Sequence, residues 1–277
     1  MKATAALLLA ALVVLAPLPV LALDKALDET LDEKTALNLS QAALGRNIGE
    51  ATLTDSSGRT VRLSDYLGKP LVLNFLYTSC AHSCGVMTTL LADAFENARE
   101  VLGNQSFNAV SIGFDTANDT PGRMRSYARK QGVEGTPGWR FLSADAATAK
   151  TLMTAAGFSY APSTKGFDHL DQVTVINGKG IIDTQVYGAT FEIPLLIEPL
   201  KEMVFGTARP FHSLGDLIKK VRLFCTLYDP KTGRYQFDYS LFIQIASGIL
   251  VIGGVLVFLI REVRNSRRLN NGKERSA

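Results

Sequence analysis

Residues 71–87 read LVLNFLYTSCAHSCGVM, a stretch that passes from a continuous apolar run into a pair of cysteines. The apolar half follows Pro70, and such a run is typical of a strand buried inside a parallel or mixed sheet. Ser79 is a residue type that often begins a helix. The stretch therefore predicts a buried strand followed at once by a helix, with Cys80 and Cys84 at the junction.

The position of the two cysteines has chemical consequences. Amide groups at the start of a helix, together with the positive end of its dipole, are expected to lower the pKa of a thiol. A spacing of four residues places both sulfur atoms on one side of the first helical turn. Two such thiols can form a disulfide or hold a soft metal ion such as Cu(I), and the motif by itself leaves both open.

Strand-like and helical segments alternate on either side of this stretch. The segments are a hairpin at 48–67, the central strand, the cysteine helix to residue 101, a strand at 107–114, a helix at 120–131, a strand at 139–142, a helix at 144–156, a hairpin at 172–187 and a helix at 193–203. Pro121 is typical of a first helical turn, and Asn177-Gly178 is typical of a tight hairpin turn. This order predicts an α/β protein with a thioredoxin-like fold, in which helices flank a central mixed sheet.

Both ends of the chain are apolar. Residues 1–22 carry one charge, Lys2, followed by an apolar run and an A-x-A-like site at Ala22, which predicts a cleaved secretory signal peptide. An uncleaved anchor is the alternative, and the prolines at positions 17 and 19 disfavour it. Residues 241–260 contain no charge and have the roughly 20-residue length of a transmembrane helix. The arginines that follow, beginning with Arg261, favour a cytoplasmic tail.

These features divide the chain into six parts. They are a signal peptide (1–22), an N-terminal arm (23–45), a thioredoxin-like domain (46–205), a linker (206–240), a transmembrane helix (241–260) and a basic cytoplasmic tail (261–277). We expect a single-pass protein of the bacterial cytoplasmic membrane with its domain in the periplasm, where disulfides can form. The net charge is +3, and the tail accounts for the excess. No basic patch interleaved with aromatic residues is evident in the domain, which disfavours nucleic acid as a partner.

Four features of the domain occur in a characteristic order. They are the C-x-x-x-C motif of Cys80 and Cys84, GFDTANDTPGRMRSYA at 113–128, GWRFL at 138–142 and FDH at 167–169. Together they resemble the Sco (SenC-type) family of thioredoxin-like copper chaperones, which take part in cytochrome oxidase assembly. The resemblance covers about residues 45–205. It implies that Cys80, Cys84 and His169 bind copper, as Cu(I), Cu(II) or both in turn.

The resemblance also implies partners. The recipient would be the cytochrome c oxidase subunit that bears a dinuclear copper centre, or another copper protein. A thioredoxin-like protein could serve as reductant. The chain departs from the family at Ala81 and Gly85, because family members commonly carry proline after one or both cysteines.

The remaining histidines and the third cysteine are interpreted by position. His82 lies between the two cysteines and is either a solvent-facing loop residue or an additional copper ligand. Asp168 or Asp171 could orient the imidazole of His169. Cys225 is interpreted as a packing residue near the membrane, with intermolecular pairing as the alternative, and His212 in the linker is given no role.

Two other functional classes remain as alternatives. A thiol–disulfide oxidoreductase, with Cys80 and Cys84 as its redox-active pair, could reduce the cysteines of a copper-site partner. Such enzymes usually have C-x-x-C and a proline before the strand that faces the thiols, whereas here Asp171 and Gln172 precede that strand. A peroxidase is third, because the P-x-x-x-T-x-x-C pattern fits neither cysteine. We therefore expect a metallochaperone in preference to an enzyme, and a thiol–disulfide oxidoreductase if the protein is an enzyme.

Overall fold

The computed structural model describes residues 31–81, 83–205, 226–229, 232, 234–237 and 239–274. The predicted signal peptide, most of the linker and the end of the basic tail lie outside these residues. So do three side chains discussed above, those of His82, His212 and Cys225.

The described elements follow the chain in this order. The helices are α1 (Glu33–Gln41), α2 (Ser83–Leu102), α3 (Pro121–Lys130), α4 (Ala146–Ala156), α5 (Ile193–Phe205) and α6 (Ser240–Glu274). The strands are β1 (Thr52–Asp55), β2 (Thr60–Arg62), β3 (Leu71–Leu76), β4 (Asn108–Gly113), β5 (Trp139–Ser143), β6 (Tyr160–Ser163), β7 (Gly166–His169), β8 (Gln172–Ile176), β9 (Ile182–Tyr187), β10 (Thr226–Asp229) and β11 (Arg234–Phe237).

The central sheet has seven strands in the order β2-β1-β5-β4-β3-β8-β9. The pairs β3–β4 and β4–β5 are parallel, and the remaining pairs are antiparallel. Every residue of β3 is buried, as expected for an apolar strand with neighbours on both edges and packed layers on both faces. The predicted mixed sheet flanked by helices, in a thioredoxin-like arrangement, is confirmed.

Polar side chains inside this sheet are satisfied by one another. The indole nitrogen of Trp139 donates to the hydroxyl of Ser111 at 2.9 Å, and that hydroxyl donates to the side-chain oxygen of Asn74 at 2.6 Å. The three residues lie on β5, β4 and β3, so the chain of hydrogen bonds crosses the parallel part of the sheet. Because buried polar groups are costly when unpaired, this chain helps to hold the three strands in register.

The topology places two loops side by side. Strands β3 and β4 are parallel neighbours in register, with Leu76 opposite Gly113. Their carboxyl ends therefore lie at the same edge of the sheet, which is where α/β proteins usually bind ligands. The loop that leads from β3 to α2 contains Cys80, and the loop that leads from β4 to α3 contains Asp115 and Asp119.

Three features of the described chain were not predicted: a helix in the predicted arm, a hairpin before β8, and the hairpin β10–β11 in the predicted linker. The predicted arm contains helix α1, in which Ala36 and Ser40 are buried, and the hydroxyls of Ser40 and Tyr187 lie 2.8 Å apart. The segment before β8, expected to be a loop, forms the two-stranded hairpin β6–β7. Its strands pair only with each other and are separate from the central sheet. His169 is the last residue of β7.

The C-terminal part of the description consists of a hairpin and a long helix. Strands β10 and β11 pair with each other, and Arg234 on β11 lies 3.4 Å from Glu100 and 3.8 Å from Glu96 on α2. Helix α6 contains the segment Phe242–Arg261, none of which is buried. Within the described part of the chain it is the one segment long and apolar enough to cross a membrane.

Candidate metal centre

The two cysteines of the motif lie together. Cys80 is in the loop after β3, and Cys84 is in the first turn of α2. The backbone N–H of Cys84 donates a hydrogen bond to the Sγ atom of Cys80 at 3.4 Å, and the hydroxyl of Ser83 lies 4.0 Å from the same sulfur. No disulfide joins the two residues. Cys84 is only 4% exposed, whereas Cys80 is partly exposed, so Cys80 is the more accessible of the two cysteines.

The environment of Cys84 changes the pKa expected for its thiol. A hydrogen bond with Cys80 and burial raise the pKa of the Cys84 thiol. The expected lowering by the helix start is wrong for this cysteine, because both effects oppose a charge on its sulfur. A metal ion that binds a thiolate at this position would therefore have to displace a proton.

The imidazole of His169, at the end of β7, is oriented by the backbone carbonyl of the next residue in the chain. Its side chain is 6% exposed, and its Nδ1 atom lies 3.0 Å from the carbonyl oxygen of Leu170. A carbonyl oxygen only accepts hydrogen bonds, so in the neutral imidazole Nδ1 carries the proton and Nε2 keeps the lone pair that can bind a metal ion. Of the two predicted orienting carboxylates, Asp171 lies 3.9 Å from Nδ1, and Asp168 is exposed.

Aromatic rings surround the imidazole. The ring of His169 lies 6.1 Å from that of Tyr77, 5.6 Å from that of Phe114 and 5.5 Å from that of Phe158, between centroids. The hydroxyl of Tyr77 also interacts with Cys80 and with the backbone of Phe167, and burial is the main cause that raises the pKa of Tyr77 to about 12. Tyr77 therefore bridges the cysteine loop and the hairpin that carries His169.

A cleft of about 400 Å³ lies between the cysteine motif and the hairpin β6–β7. Ser83, from the cysteine motif, lines it together with His169 and Asp168. Asp171 interacts electrostatically with both His169 and Cys80 and forms a hydrogen bond with Ser83. Among the described residues, however, no three His, Cys, Asp or Glu side chains are grouped closely enough to hold a metal ion. The structure thus brings the two cysteines together and places His169 across the cleft from their motif.

The buried carboxylate of Asp119 holds the cysteine loop through hydrogen bonds. The sequence alone assigned no role to this residue. It is 2% exposed, and its carboxylate accepts hydrogen bonds from the backbone N–H of Thr78 at 2.8 Å and of Asp115 at 2.9 Å. Burial raises the pKa of Asp119 despite these donors. The residue ties the loop of Cys80 to the loop that begins α3. Its position in the stretch GFDTANDTPGRMRSYA, one residue before the N-cap Thr120, is the local signal that could have found it.

Tyr127 on α3 supports the other cysteine and was likewise not identified. Its hydroxyl donates to the backbone carbonyl of Cys84 at 2.9 Å and lies 2.8 Å from the hydroxyl of Thr88. Thr88 donates to the same carbonyl at 2.7 Å. Two side chains therefore hold the first turn of α2, which carries Cys84. The sequence offers only the burial expected of an aromatic residue at this helical position.

Comparison with known proteins gives the same class as the fold and the dithiol motif, a thioredoxin-like protein with paired cysteines at the start of its first central helix. The sequence model of the SCO1/SenC family matches residues 41–204, more than half of the chain. The chain belongs to the SCO1/SenC family. No curated protein sequence matches it significantly.

Solved structures of similar proteins agree on the fold. A SCO1/SenC family lipoprotein from Bacillus anthracis is 21% identical, with a TM-score of 0.52 over 58% of this chain and 96% of that one. BsSco, a member of the Sco family of cytochrome c oxidase assembly proteins in which a disulfide switch was identified, is 18% identical, with a TM-score of 0.52 over 58% and 96%. Yeast Sco1 with copper bound is 17% identical, with a TM-score of 0.50 over 63% and 97%.

Proposed function

We propose that this protein is a membrane-anchored copper chaperone. It binds copper through Cys80, Cys84 and His169 and delivers it to the dinuclear copper centre of cytochrome c oxidase during assembly. The observation that carries the proposal is the pairing of two adjacent thiols with an imidazole whose Nδ1 is already bonded to a carbonyl, so that Nε2 remains for a metal. Membership of the family supports it, as do yeast Sco1 with copper bound and the oxidase-assembly role of BsSco.

The donor set fits copper. Two thiolates and one imidazole suit Cu(I), and Cu(II) accepts the same set with added oxygen ligands. The hydrogen bond from the N–H of Cys84 to the sulfur of Cys80 favours negative charge on Cys80. The proton of Cys84 leaves when the metal binds.

Completion of the site requires His169 to approach the sulfurs. The hairpin β6–β7 forms its own two-stranded sheet, so no ladder hydrogen bonds with the central sheet fix its position. By contrast, Asp119 and Tyr127 hold the cysteine loop and the first turn of α2 through buried hydrogen bonds. We therefore expect the hairpin, which packs on the domain through the rings of Phe167 and His169, to adjust more than the cysteine loop when the third ligand binds.

The proposed copper site lies far from the membrane anchor, helix α6. Helix α6 spans the bacterial cytoplasmic membrane, with the domain in the periplasm and the arginine-rich tail inside. The hairpin that precedes α6 contacts α2 at Glu96 and Glu100. These residues lie about 18–24 Å from Cys84 along the helix, at 1.5 Å per residue. The copper site is thus at the opposite end of α2 from the contact with the membrane-proximal hairpin.

The second candidate is a thiol–disulfide oxidoreductase that reduces the cysteines of a copper-site partner. The unequal burial of Cys80 and Cys84 favours it, because a redox pair attacks with its accessible thiol and resolves with the buried one. The two candidates differ in the role of His169, which only the copper carrier requires.

The test uses full-length protein in detergent, reduced and freed of metal. We expect one copper ion per chain, and a loss of about 10–100-fold or more in Cu(II) affinity in His169→Ala, measured by competition titration. Cu(I) binding should fall less, because two thiolates still hold it. His82→Ala is the control, with a smaller expected effect. If the wild-type protein retains no copper while its dithiol reduces a partner's disulfide, the oxidoreductase is the correct function.

A further inference from the structure

A second groove, of about 180 Å³, borders Cys80 and is separate from the cleft of His169, since the two share no lining residue. Cys80 lies in its wall, and helix α3 contributes Arg123, Ser126 and Lys130. Ser126 follows Arg123 by three residues and Lys130 follows Ser126 by four, so the three side chains lie on one face of α3. We call this feature the basic groove.

The positive charges of the basic groove are not neutralised within the domain. Arg123 and Lys130 are both exposed, and no ion pair joins either of them to another described residue. Among the described residues, the guanidinium of Arg123 has one weak polar contact, with the side-chain oxygen of Asn118 at 3.4 Å. By contrast, Arg129 on the neighbouring face is paired with Glu134 at 2.8 Å. The charges beside Cys80 are therefore available to a partner.

The two openings beside the cysteine motif differ in charge. The cleft of His169 has two exposed carboxylates, Glu33 and Asp168, in its wall. The basic groove has two exposed cations beside the more accessible of the two sulfurs. A copper cation is attracted to the first opening, and an anionic group is attracted to the second.

We propose that the basic groove docks an acidic segment of the protein that exchanges copper or electrons with Cys80. The partner is recognised by carboxylates close to its own cysteine or copper ligand, which pair with Arg123 and Lys130. This inference rests on the proposed function, because it assigns the approach of the partner to one side of the site. It predicts that negative charge next to the sulfur of an incoming disulfide speeds the attack of Cys80 on that sulfur.

The test measures thiol exchange with three synthetic peptides, Glu-Glu-Cys-Glu-Glu, Gln-Gln-Cys-Gln-Gln and Lys-Lys-Cys-Lys-Lys, each as a mixed disulfide with thionitrobenzoate. The thiolate of Cys80 attacks the peptide sulfur, which forms a peptide–Cys80 disulfide and releases thionitrobenzoate, the coloured product. Cys84 then attacks Cys80, which forms the internal disulfide and releases the reduced peptide. Two thiols are oxidised and one mixed disulfide is reduced, so electrons balance.

In reduced full-length protein at low salt, the glutamate peptide should react roughly tenfold faster than the lysine peptide, with the glutamine peptide between them. The preference should largely disappear near 1 M salt, where the screening length is about 3 Å. Arg123→Glu and Lys130→Glu should each remove most of it. Arg125→Glu makes the same change of charge on an exposed position outside the groove and should retain it. Thermal unfolding of each variant verifies that it is folded.

Equal rates for the three peptides in the wild-type protein would overturn the proposal. So would a loss of preference in Arg125→Glu as large as in Arg123→Glu, since bulk charge would then be the cause. Copper stoichiometry of the same wild-type sample separates this result from the proposed function. A protein that binds copper but shows no charge preference lacks the docking groove, whereas one that shows the preference without copper is not a copper carrier.

Discussion

The sulfur of Cys80 accepts a hydrogen bond from the backbone N–H of Cys84 at 3.4 Å, although no disulfide joins the two residues. The helix start thus holds two thiols close together. Buried hydrogen bonds from Tyr127 and Thr88 to the carbonyl of Cys84 fix the same turn. The pair can therefore either bind a metal or oxidise with little rearrangement of α2, and its redox state should decide between the two.

Copper binding should depend on reduction. A disulfide offers no thiolate, so oxidised protein should retain little copper after gel filtration, and addition of a reductant should restore about one ion per chain. Cys225→Ser is the control, because it keeps Cys80 and Cys84 and should lose and regain copper as the wild-type protein does. Equal copper retention by oxidised and reduced wild-type protein would show that the cysteines are not the site.

The hydroxyl of Tyr127 should stabilise the turn that carries Cys84. Tyr127→Phe keeps the ring but removes the buried hydrogen bond to the Cys84 carbonyl, so the free energy of unfolding in urea should fall by about 0.5–1.5 kcal/mol. Tyr160→Phe, on an exposed ring of β6, is the control and should change stability less. A Tyr127→Phe variant as stable as the wild-type protein would mean that Thr88 alone holds this carbonyl.

Asp55 should contribute to stability against acid. Burial opposes its charge, but hydrogen bonds from Ser57 and Arg59 outweigh burial and hold the pKa of Asp55 well below its usual value of 3.8. Because the pKa is lower in the folded state, the contribution is complete above about pH 4 and is lost as the pH falls below it.

Unfolding measured from pH 6 down to pH 2 should therefore separate Asp55→Asn from the wild-type protein. The variant should be less stable at pH 6, by about 1–3 kcal/mol for a lost charged hydrogen-bond acceptor, and the difference should shrink on acidification. Asp93→Asn, on an exposed position of α2, is the matched control. A constant difference across the range would show that shape, and not charge, is what Asp55 provides.

The orientation of the anchor can be tested with reporter fusions. Alkaline phosphatase is active only when exported, so a fusion after Phe205 should be active and a fusion after Ala277 inactive. The reverse pattern of activity would place the domain in the cytoplasm and remove the basis for periplasmic copper delivery.

Much of the fold follows from local patterns in the sequence. The apolar run of β3, the proline that begins α3 and the Asn177-Gly178 turn each act over a few residues, and the structure has the predicted element at each place. The hairpin β6–β7 was missed because its two strands have four residues each and include Pro162, which lacks an N–H. Helix α1 was missed because its sequence is mostly polar and only Ala36 and Ser40 of it are buried.

The sequence by itself determined the class of the protein and its two thiols, because strand, helix start and C-x-x-x-C motif are adjacent along the chain. Only the tertiary structure decided what surrounds them. It placed His169 across a cleft from the motif, supported the motif with Asp119 and Tyr127, and brought Arg123 and Lys130 beside Cys80. The spacing of Arg123 and Lys130 already places them on one face of α3, but that face lies beside Cys80 only because β3 and β4 pair. Contacts between residues so distant in sequence depend on the packing of the whole sheet, and no local pattern encodes them.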